Sequence, residues 1–233
     1  MLNFDLKRYQ ILNNIIKYTK LPNQTKSFLL IIIKLNMSQP IFHYFDARGR
    51  GEEIRILLNY AGVKYTEVKI GPLTDEIRSK LTFGQLPWYQ DGSLSITQSM
   101  AIESYIARKY NLLGVSEEEN AEIFSYVLSV ADMLDAIIKA FTGGDEQKQN
   151  FSEKIAPRII KAWESKINDQ GHLFGNKTTW ADLAIFNSID YLLWTKNENL
   201  FISSPKCIKL HKSLANSSQL KPYLDSRPKD VKF

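Results

Sequence analysis

The chain has 233 residues, of which 44% are apolar, and its formal net charge is +5. This length allows one large domain or two modest ones, and the longest apolar run is too short to span a bilayer. The excess positive charge lies in the first 36 residues, since the rest of the chain carries 24 basic and 24 acidic side chains. We therefore predict a protein that binds neither nucleic acid nor a membrane.

The first 36 residues differ from the rest in composition, being rich in Ile, Asn, Leu and Lys and lacking Gly. A mitochondrial presequence would contain more Arg and Ser, and a disordered basic tail would contain fewer aliphatic residues. The interpretation that we favour over these two is that Met37 is the true start. Residues 1–36 would then be a non-domain extension that comes from an over-extended gene prediction.

From Pro40 the hydrophobic pattern alternates between the periods of strands and helices. The predicted elements are a strand at 41–45, a helix at 50–61, a strand at 64–70, a helix at 73–81, a hairpin of strands 86–90 and 93–96 around the turn Asp91-Gly92, and a helix at 98–110. A helical crossover joins the first two strands and a tight turn joins the last two. This order predicts a small mixed sheet covered by helices.

After Leu113 only helical patterns follow. We predict helices at 117–141, at 151–167 with a kink at Pro157, from 180 to 193, and in two shorter pieces at 205–214 and 220–225. Thr179 and Asp182 fit a capping box at the start of the helix that ends at residue 193, so we interpret both as structural residues. The predicted domains are 37–114, with the sheet, and 117–228, which is all helical.

Few residues of this sequence suit a metal or redox site. Cys207 is the single cysteine, and the three histidines show no ligand spacing. A disulfide framework, a Cys-x-x-Cys pair and a cysteine-rich metal site are therefore excluded, and we expect no metal to be required.

Several candidate site residues lie at the ends of predicted elements in the first domain. Tyr44 lies near the end of the first strand and Arg50 in the first turn of the next helix, so we expect both at one edge of the sheet. Leu86 precedes a proline at the start of a strand, where its backbone can pair with an extended, peptide-like ligand. Gln98 and Ser99 open a helix whose free backbone donors favour a carboxylate.

These positions predict a peptide-like ligand with a carboxylate and a reactive group beside Tyr44. A thiol suits that group, because free thiols titrate near ~8.5 and are mostly unreactive at neutral pH unless a donor stabilises the thiolate. A phenol, with a pKa near ~10, keeps its proton and can donate it to a thiolate. Lowering a thiol pKa by about two units needs roughly 2.7 kcal/mol, which one charge-assisted hydrogen bond and the positive field of Arg50 can supply.

Three segments resemble the cytosolic glutathione transferases, most closely the sigma-like class that includes the haematopoietic prostaglandin D synthases. They are YFDARGRGEEIR, FGQLPWYQDGSLSITQSMAIESYIARKY and TTWADLAIF, and the resemblance extends from Pro40 to about Pro228. It implies a thioredoxin-like N-terminal domain with a mixed four-stranded sheet and an all-helical C-terminal domain. It also implies a cytoplasmic homodimer that uses glutathione as co-substrate and requires no metal.

The resemblance further implies roles for individual residues. Tyr44 matches the tyrosine that hydrogen-bonds the glutathione sulfur, and Arg50 matches the arginine that supports this tyrosine. Gln98 and Ser99 match the pair that holds the γ-glutamyl carboxylate.

A second set of residues matches the segment that pairs with the cysteinyl backbone of glutathione. Gly84, Gln85 and Leu86 form this segment, and Pro87 matches the structural cis-proline that follows it.

The sequence departs from the family pattern near the glycyl end of glutathione. Thr74 or Asp75 stands where sigma-like proteins often have a tryptophan, and Gln85 replaces a basic residue, which leaves Arg78 as the candidate for the glycyl carboxylate. Ala184 occupies the place of a pocket tyrosine of the prostaglandin synthases, so prostaglandin D synthesis is not predicted.

We predict a glutathione transferase that activates glutathione at Tyr44 and adds the thiolate to small hydrophobic electrophiles, a detoxification reaction. The alternative is a non-catalytic glutathione-transferase-like binding or structural protein. The presence of Tyr44 and Arg50 favours the enzyme, whereas the altered residues near the glycyl end fit either function.

Overall fold

The structure is a computed structural model, and it describes residues 16, 18, 19, 21–27 and 39–228. Met37 and most of residues 1–36 lie outside the described residues. The three interpretations of this segment therefore stay predictions. In its described part, residues 23–27 are helical, and the Lys26 amide donates to the Pro22 carbonyl at 3.0 Å.

The sheet contains four strands in the order β2-β1-β3-β4. Their bounds are Ile41–Phe45 for β1, Thr66–Ile70 for β2, Trp88–Asp91 for β3 and Leu94–Thr97 for β4. The strand β1 pairs in parallel with β2 and antiparallel with β3, and β3 pairs antiparallel with β4. The predicted mixed sheet is confirmed. The pairing partner of Tyr44, in β1, is Lys69.

The helices next to the sheet are shorter than predicted. A 3₁₀ turn, Gly49–Gly51, precedes α1, which spans Glu52–Tyr60; α2 spans Asp75–Arg78 and α3 spans Ser99–Lys109. Helix α2 begins late because the Thr74 side chain accepts from the Ile77 amide as an N-cap.

The hairpin turn also differs from the prediction by one residue. Asp91 pairs with Leu94, so the loop is Gly92-Ser93 and not Asp91-Gly92. Gly92 supplies the positive φ, 62°, that such tight hairpin turns require.

The remaining described chain is helical, as predicted. It contains α4 (Glu117–Thr142), α5 (Asp145–Asn150), α6 (Ala156–Lys166), α7 (Trp180–Trp194), α8 (Pro205–Ala215) and α9 (Lys221–Ser226). Helix α7 is largely buried, with Leu183 and Phe186 fully buried. Around Pro157 the helical chain changes type: a π-helical segment, Phe151–Ile155, lies between α5 and α6, and the Ala156 amide donates to the Phe151 carbonyl five residues back. Pro157 is the second residue of α6, and the predicted kink there stays a prediction.

The contacts of the chain divide it into two compact units. The first contains the sheet, with the described chain up to Gly51 and Gly62–Ile102, and the second contains Glu52–Ala61 and the described chain from Glu103. Helix α1 belongs to the second unit because it packs against α7. The predicted domains, 37–114 and 117–228, are continuous segments of the chain, whereas the two units defined by contacts are not. The domain limits stay a prediction.

Candidate active site

Tyr44 is held in β1 by neighbouring aromatic rings and is only 7% exposed. Its ring stacks on Phe42 with centroids 6.1 Å apart and meets Phe45 edge-on at 5.4 Å. The Tyr44 hydroxyl accepts a hydrogen bond from the backbone amide of Arg50 at 2.9 Å. Strand β1 and the 3₁₀ turn therefore fix the phenol oxygen from two sides.

Arg50 contributes to this site through its backbone. A supporting role through the positive field of the Arg50 side chain stays a prediction; the contact that the structure adds is a hydrogen bond from the Arg50 amide to the Tyr44 hydroxyl. A hydrophobic pattern does not reveal which backbone amide of a turn points at a given side chain, so the sequence did not show this contact.

The direction of this hydrogen bond determines the chemistry that Tyr44 can perform. An amide can only donate, so the phenol oxygen is the acceptor and its own proton is not used in this bond. Donation to the oxygen favours negative charge on it, which makes the hydroxyl a stronger donor. The arrangement suits a donor to an anion such as a thiolate.

The glycines of the 3₁₀ turn are site residues that the sequence analysis missed. A Cβ on Gly49 would lie 2.7 Å from the Tyr44 hydroxyl, and a Cβ on Gly51 would lie 2.3 Å from Cδ1 of the ring. The signal was the Gly-Arg-Gly run after an aromatic strand, because closely placed glycines allow another group to approach the backbone.

The segment Gly84 to Leu86 is held in place from one side by helix α2. Gly84 has a φ of +64°, its amide donates to the Leu81 carbonyl at 3.0 Å, and its carbonyl accepts from Nη1 of Arg78 at 3.2 Å. The Leu86–Pro87 bond is cis. Arg78, the candidate for the glycyl carboxylate, thus contacts the same segment that is predicted to bind the cysteinyl backbone.

Gln98 and Ser99 begin α3 with an unusual backbone. Gln98 lies just before the helix, is exposed, and has a φ of 75°, while its carbonyl accepts from the Ile102 amide at 3.1 Å. A positive φ costs a residue other than glycine about 1–3 kcal/mol, and such residues concentrate at functional sites. The observed strain fits the predicted role in ligand binding.

The start of α7 is capped by a carboxylate from the chain itself. Asp182 accepts from the Thr179 amide and hydroxyl, both at 2.7 Å, and from the Leu173 amide at 2.8 Å. Burial raises the pKa of Asp182, and these hydrogen bonds oppose the shift. Thr179 and Asp182 thus form a buried cap.

A second polar group missed by the sequence analysis lies in the helical unit. Glu53 and Glu103 are 7% and 4% exposed, and Glu53 accepts from Nε1 of Trp180 at 2.9 Å. Glu53 also hydrogen-bonds the side chains of Glu103 and Asn187. Burial raises the pKa of Glu53 to about 7, and these hydrogen bonds oppose the shift. The Glu53 carboxyl therefore keeps its proton to a higher pH than an exposed glutamate does.

Glu52, next to Glu53, anchors the end of the helical unit. Its carboxylate accepts from the Tyr223 hydroxyl at 2.9 Å and from Arg227 at 3.0 Å, and Arg227 also donates to Asp190 at 2.9 Å. All of these charges are paired within the chain, which indicates a structural network.

Neither the cysteine nor the acidic residues form an evident metal site. No group of three His, Cys, Asp or Glu within residues 39–228 and the described part of the extension is arranged to hold an ion. Burial, followed by nearby Glu164, raises the pKa of the Cys207 thiol, which leaves it protonated. None of the described helices is both long and apolar enough to cross a membrane.

Comparison with known proteins identifies the family. The family described as "Glutathione S-transferase, N-terminal domain" matches residues 40–108, and "Glutathione S-transferase, C-terminal domain" matches residues 131–227. A Dictyostelium discoideum protein named putative glutathione S-transferase alpha-5 is 34% identical over 82% of this chain and 98% of its own length. The chain belongs to the glutathione S-transferase family.

Other members of the family show the same likeness. Human glutathione S-transferase A1 is 33% identical over 80% of this chain and 88% of its own length. The Pi-class glutathione S-transferase of Onchocerca volvulus has 28% identity and a TM-score of 0.75, covering 82% of this chain and 94% of that one. The prostaglandin synthase D of Nilaparvata lugens has 25% identity and a TM-score of 0.71, covering 82% and 99%. These matches confirm the predicted thioredoxin-like and helical fold.

Proposed function

We propose that this glutathione transferase activates the glutathione thiol at Tyr44 and adds the thiolate to small hydrophobic electrophiles. Membership of the family makes the chain a transferase with glutathione as co-substrate. The roles of the individual residues are the proposed part. They are supported above all by the hydrogen bond from the Arg50 amide to the Tyr44 hydroxyl, at 2.9 Å.

In this mechanism Tyr44 keeps its own proton and donates a hydrogen bond to the glutathione sulfur. The thiol proton leaves to solvent, and the thiolate forms a carbon–sulfur bond with the electrophile, whose leaving group departs with the bonding electron pair. Lowering the thiol pKa by about two units needs roughly 2.7 kcal/mol of preferential stabilisation of the anion. A short hydrogen bond from a phenol that is itself polarised by an amide is suited to supply much of this energy.

The rest of glutathione binds along the same sheet unit. The γ-glutamyl carboxylate lies at Gln98 and Ser99, where the N-terminus of α3 favours an anion. Gly84, Gln85 and Leu86 pair with the cysteinyl backbone. Support for these positions comes from the strained φ of Gln98 and from the two hydrogen bonds that hold Gly84.

The glycyl carboxylate binds at Arg78. One N–H of its planar guanidinium donates to the Gly84 carbonyl. A guanidinium has five N–H donors in one plane, so others can donate to a carboxylate. Thr74 serves as the cap of α2, so a polar cap stands where sigma-like proteins often have a tryptophan.

We assign the chain to the sigma-like class on the motifs quoted above. The Nilaparvata lugens structure, a prostaglandin synthase D, supports this class, whereas the names of the Dictyostelium and human relatives point to the alpha class. We do not extend prostaglandin synthesis to this chain, because Ala184 replaces a pocket tyrosine.

The quaternary structure and location follow from the same resemblance. We propose a cytoplasmic homodimer with a role in detoxification. Phe83 is 62% exposed and Phe124 is 42% exposed, and large apolar side chains of this kind are suited to burial in a subunit interface. We also keep the domain limits 37–114 and 117–228 as a proposal, supported by the family matches at 40–108 and 131–227 that lie inside them.

The test is ultraviolet difference spectroscopy of bound glutathione, titrated across pH. We expect the bound thiol of the wild type to ionise about two units below its free value of ~8.5. Tyr44→Phe should remove this shift, whereas Tyr60→Phe, at the end of α1, should keep it. If glutathione binds with an unshifted thiol in the wild type, the proposed role of Tyr44 is wrong, and the non-catalytic alternative, which no comparison favours, would gain its first support.

A further inference from the structure

Tyr44 lies closer to the backbone of the 3₁₀ turn than a side chain at position 51 would permit. A Cβ on Gly51 would lie 2.3 Å from Cδ1, 2.7 Å from Cγ and 2.8 Å from Cε1 of Tyr44. Carbon atoms in contact are normally about 3.5–4.0 Å apart. Gly51 is not among the glycines with positive φ in the described chain, so its backbone alone does not require glycine. The tyrosine ring is what requires it.

The ring cannot yield to such a side chain without moving its hydroxyl. Rotation about χ2 leaves Cγ in place, so relief requires a change in χ1 or a backbone shift, and each carries the hydroxyl with it. Phe42 and Phe45 pack against the ring, and the Tyr44 backbone lies in β1, paired with β2. The depth of the ring against the turn thus determines where its hydroxyl lies.

We propose that Gly51 is a positioning residue for the transferase reaction, because its missing side chain sets the place at which the Tyr44 hydroxyl meets the glutathione sulfur. This inference rests on the proposed function of Tyr44. Gly49 approaches the same hydroxyl, at 2.7 Å from an added Cβ, but its φ of +38° would strain any substitution there. Gly51 is therefore the residue at which position can be tested apart from backbone strain.

The first experiment compares Gly51→Ala with Gly71→Ala. Gly71 is a matched control, because an added Cβ there would meet nothing within 4 Å. The measurements are kcat/KM for glutathione with a chromogenic aryl halide, the pKa of the bound thiol, and the Kd of S-methylglutathione. A displacement of about 1 Å can cost on the order of 100-fold in rate.

For Gly51→Ala we expect kcat/KM to fall about 10- to 100-fold and the bound thiol pKa to move toward its free value. The affinity for S-methylglutathione should stay within about twofold, since the change affects the tyrosine and not the peptide subsites. Gly71→Ala should match the wild type in kcat/KM, in the pKa of the bound thiol and in the Kd of S-methylglutathione. Wild-type kcat/KM and thiol pKa in Gly51→Ala would overturn the proposal.

A double-mutant cycle shows whether Gly51 acts through the hydroxyl. In a Tyr44→Phe background, Gly51→Ala should cause no further loss of kcat/KM, whereas a loss equal to that in the wild type would contradict the proposal. If Tyr44→Phe itself leaves the thiol pKa unchanged, the proposed function has failed and not merely the role of Gly51.

A variant that fails to fold would still give an answer. In a Tyr44→Ala background the ring is absent, so Gly51→Ala should cause no clash. The double variant should then have the same thermal unfolding midpoint as Tyr44→Ala alone. Equal destabilisation by Gly51→Ala in both backgrounds would show that the obstacle is not Tyr44, and it would overturn the proposal.

Discussion

Helices α3 and α7 begin in opposite ways. The start of α7 is buried, and Asp182 supplies an anion from the chain itself to the Thr179 and Leu173 amides. The start of α3 is exposed and is preceded by Gln98 in a strained, left-handed conformation. Both helix ends favour a negative charge, yet only one has a carboxylate of its own. The α7 cap is complete within the chain, and the contrast supports the proposal that the start of α3 receives the carboxylate of a ligand.

The largest effect is expected from removing the internal anion of α7. Asp182→Ala would leave the amides of Leu173 and Thr179 and the Thr179 hydroxyl without their acceptor in a buried region. Buried donors without a partner cost about 1–3 kcal/mol each, so we expect the free energy of unfolding to fall by about 3–5 kcal/mol in urea denaturation. Asp225→Ala, in an exposed ion pair with Lys221, is the control and should cause no measurable change. A loss below about 1 kcal/mol would contradict the closed-cap interpretation.

The next effect concerns the pH dependence of stability in the helical unit. Folding raises the pKa of Glu53 from 4.5 to about 7. Between these two pH values the folded protein keeps a proton on Glu53 that the unfolded chain has released. The stabilising contribution of this proton is complete below pH 4.5 and is lost as the pH rises through about 7.

Glu53→Gln should remove this dependence, because the amide still accepts from Trp180 but does not ionise. Between pH 5 and 8 we expect the wild type to lose about 3 kcal/mol relative to the variant, measured by urea denaturation at each pH. Glu76→Gln, at an exposed site, should follow the wild type. Parallel stability curves for wild type and Glu53→Gln would show that Glu53 is not the group that titrates. Glu52, Arg55 and Glu103 face the same region and are unchanged in this comparison.

A smaller effect tests whether the strain before α3 serves binding. Gln98→Gly relieves the positive φ, so the free energy of unfolding should rise by about 1 kcal/mol while the Kd for glutathione rises about tenfold. Lys196→Gly relieves a similar φ, 63°, at the end of α7 and should stabilise the protein without changing glutathione binding. Unchanged glutathione affinity in Gln98→Gly would remove the functional reason for the strain.

The smallest effect is expected at Arg78. The exposed Arg78→Ala variant should bind glutathione about fivefold more weakly, because it loses the charge that faces the glycyl carboxylate. The glycyl ethyl ester of glutathione lacks the charge of this carboxylate. Its affinity should fall only about twofold from the wild type to Arg78→Ala, because the variant also loses the hydrogen bond from Arg78 to Gly84. Lys80→Ala is the control, since Lys80 pairs with Glu76. Equal losses for the two ligands, measured by calorimetry, would show that Arg78 acts only on Gly84.

The sequence predicted most elements because each was specified by local signals. The apolar run at Ile41–Phe45 and the capping box at Thr179 have the predicted bounds and partners. The hairpin turn was one residue out, because the register depends on cross-strand pairing that no local dipeptide determines. The Glu53 and Glu103 pair was missed because two acidic residues far apart in the sequence are expected at the surface.

By itself, the sequence determined the family, the order of strands and helices, and the residues that we propose to bind and activate a thiol, since these depend on local periodicity and on motifs. Only the tertiary structure decided that the Arg50 backbone amide donates to the Tyr44 hydroxyl, and that Gly51 lies under the tyrosine ring. It also decided that Glu53 and Glu103 are both buried and that Glu53 accepts a hydrogen bond from Trp180. These contacts depend on how backbone and side chains from separate elements approach each other within a few tenths of an ångström, which no single segment specifies.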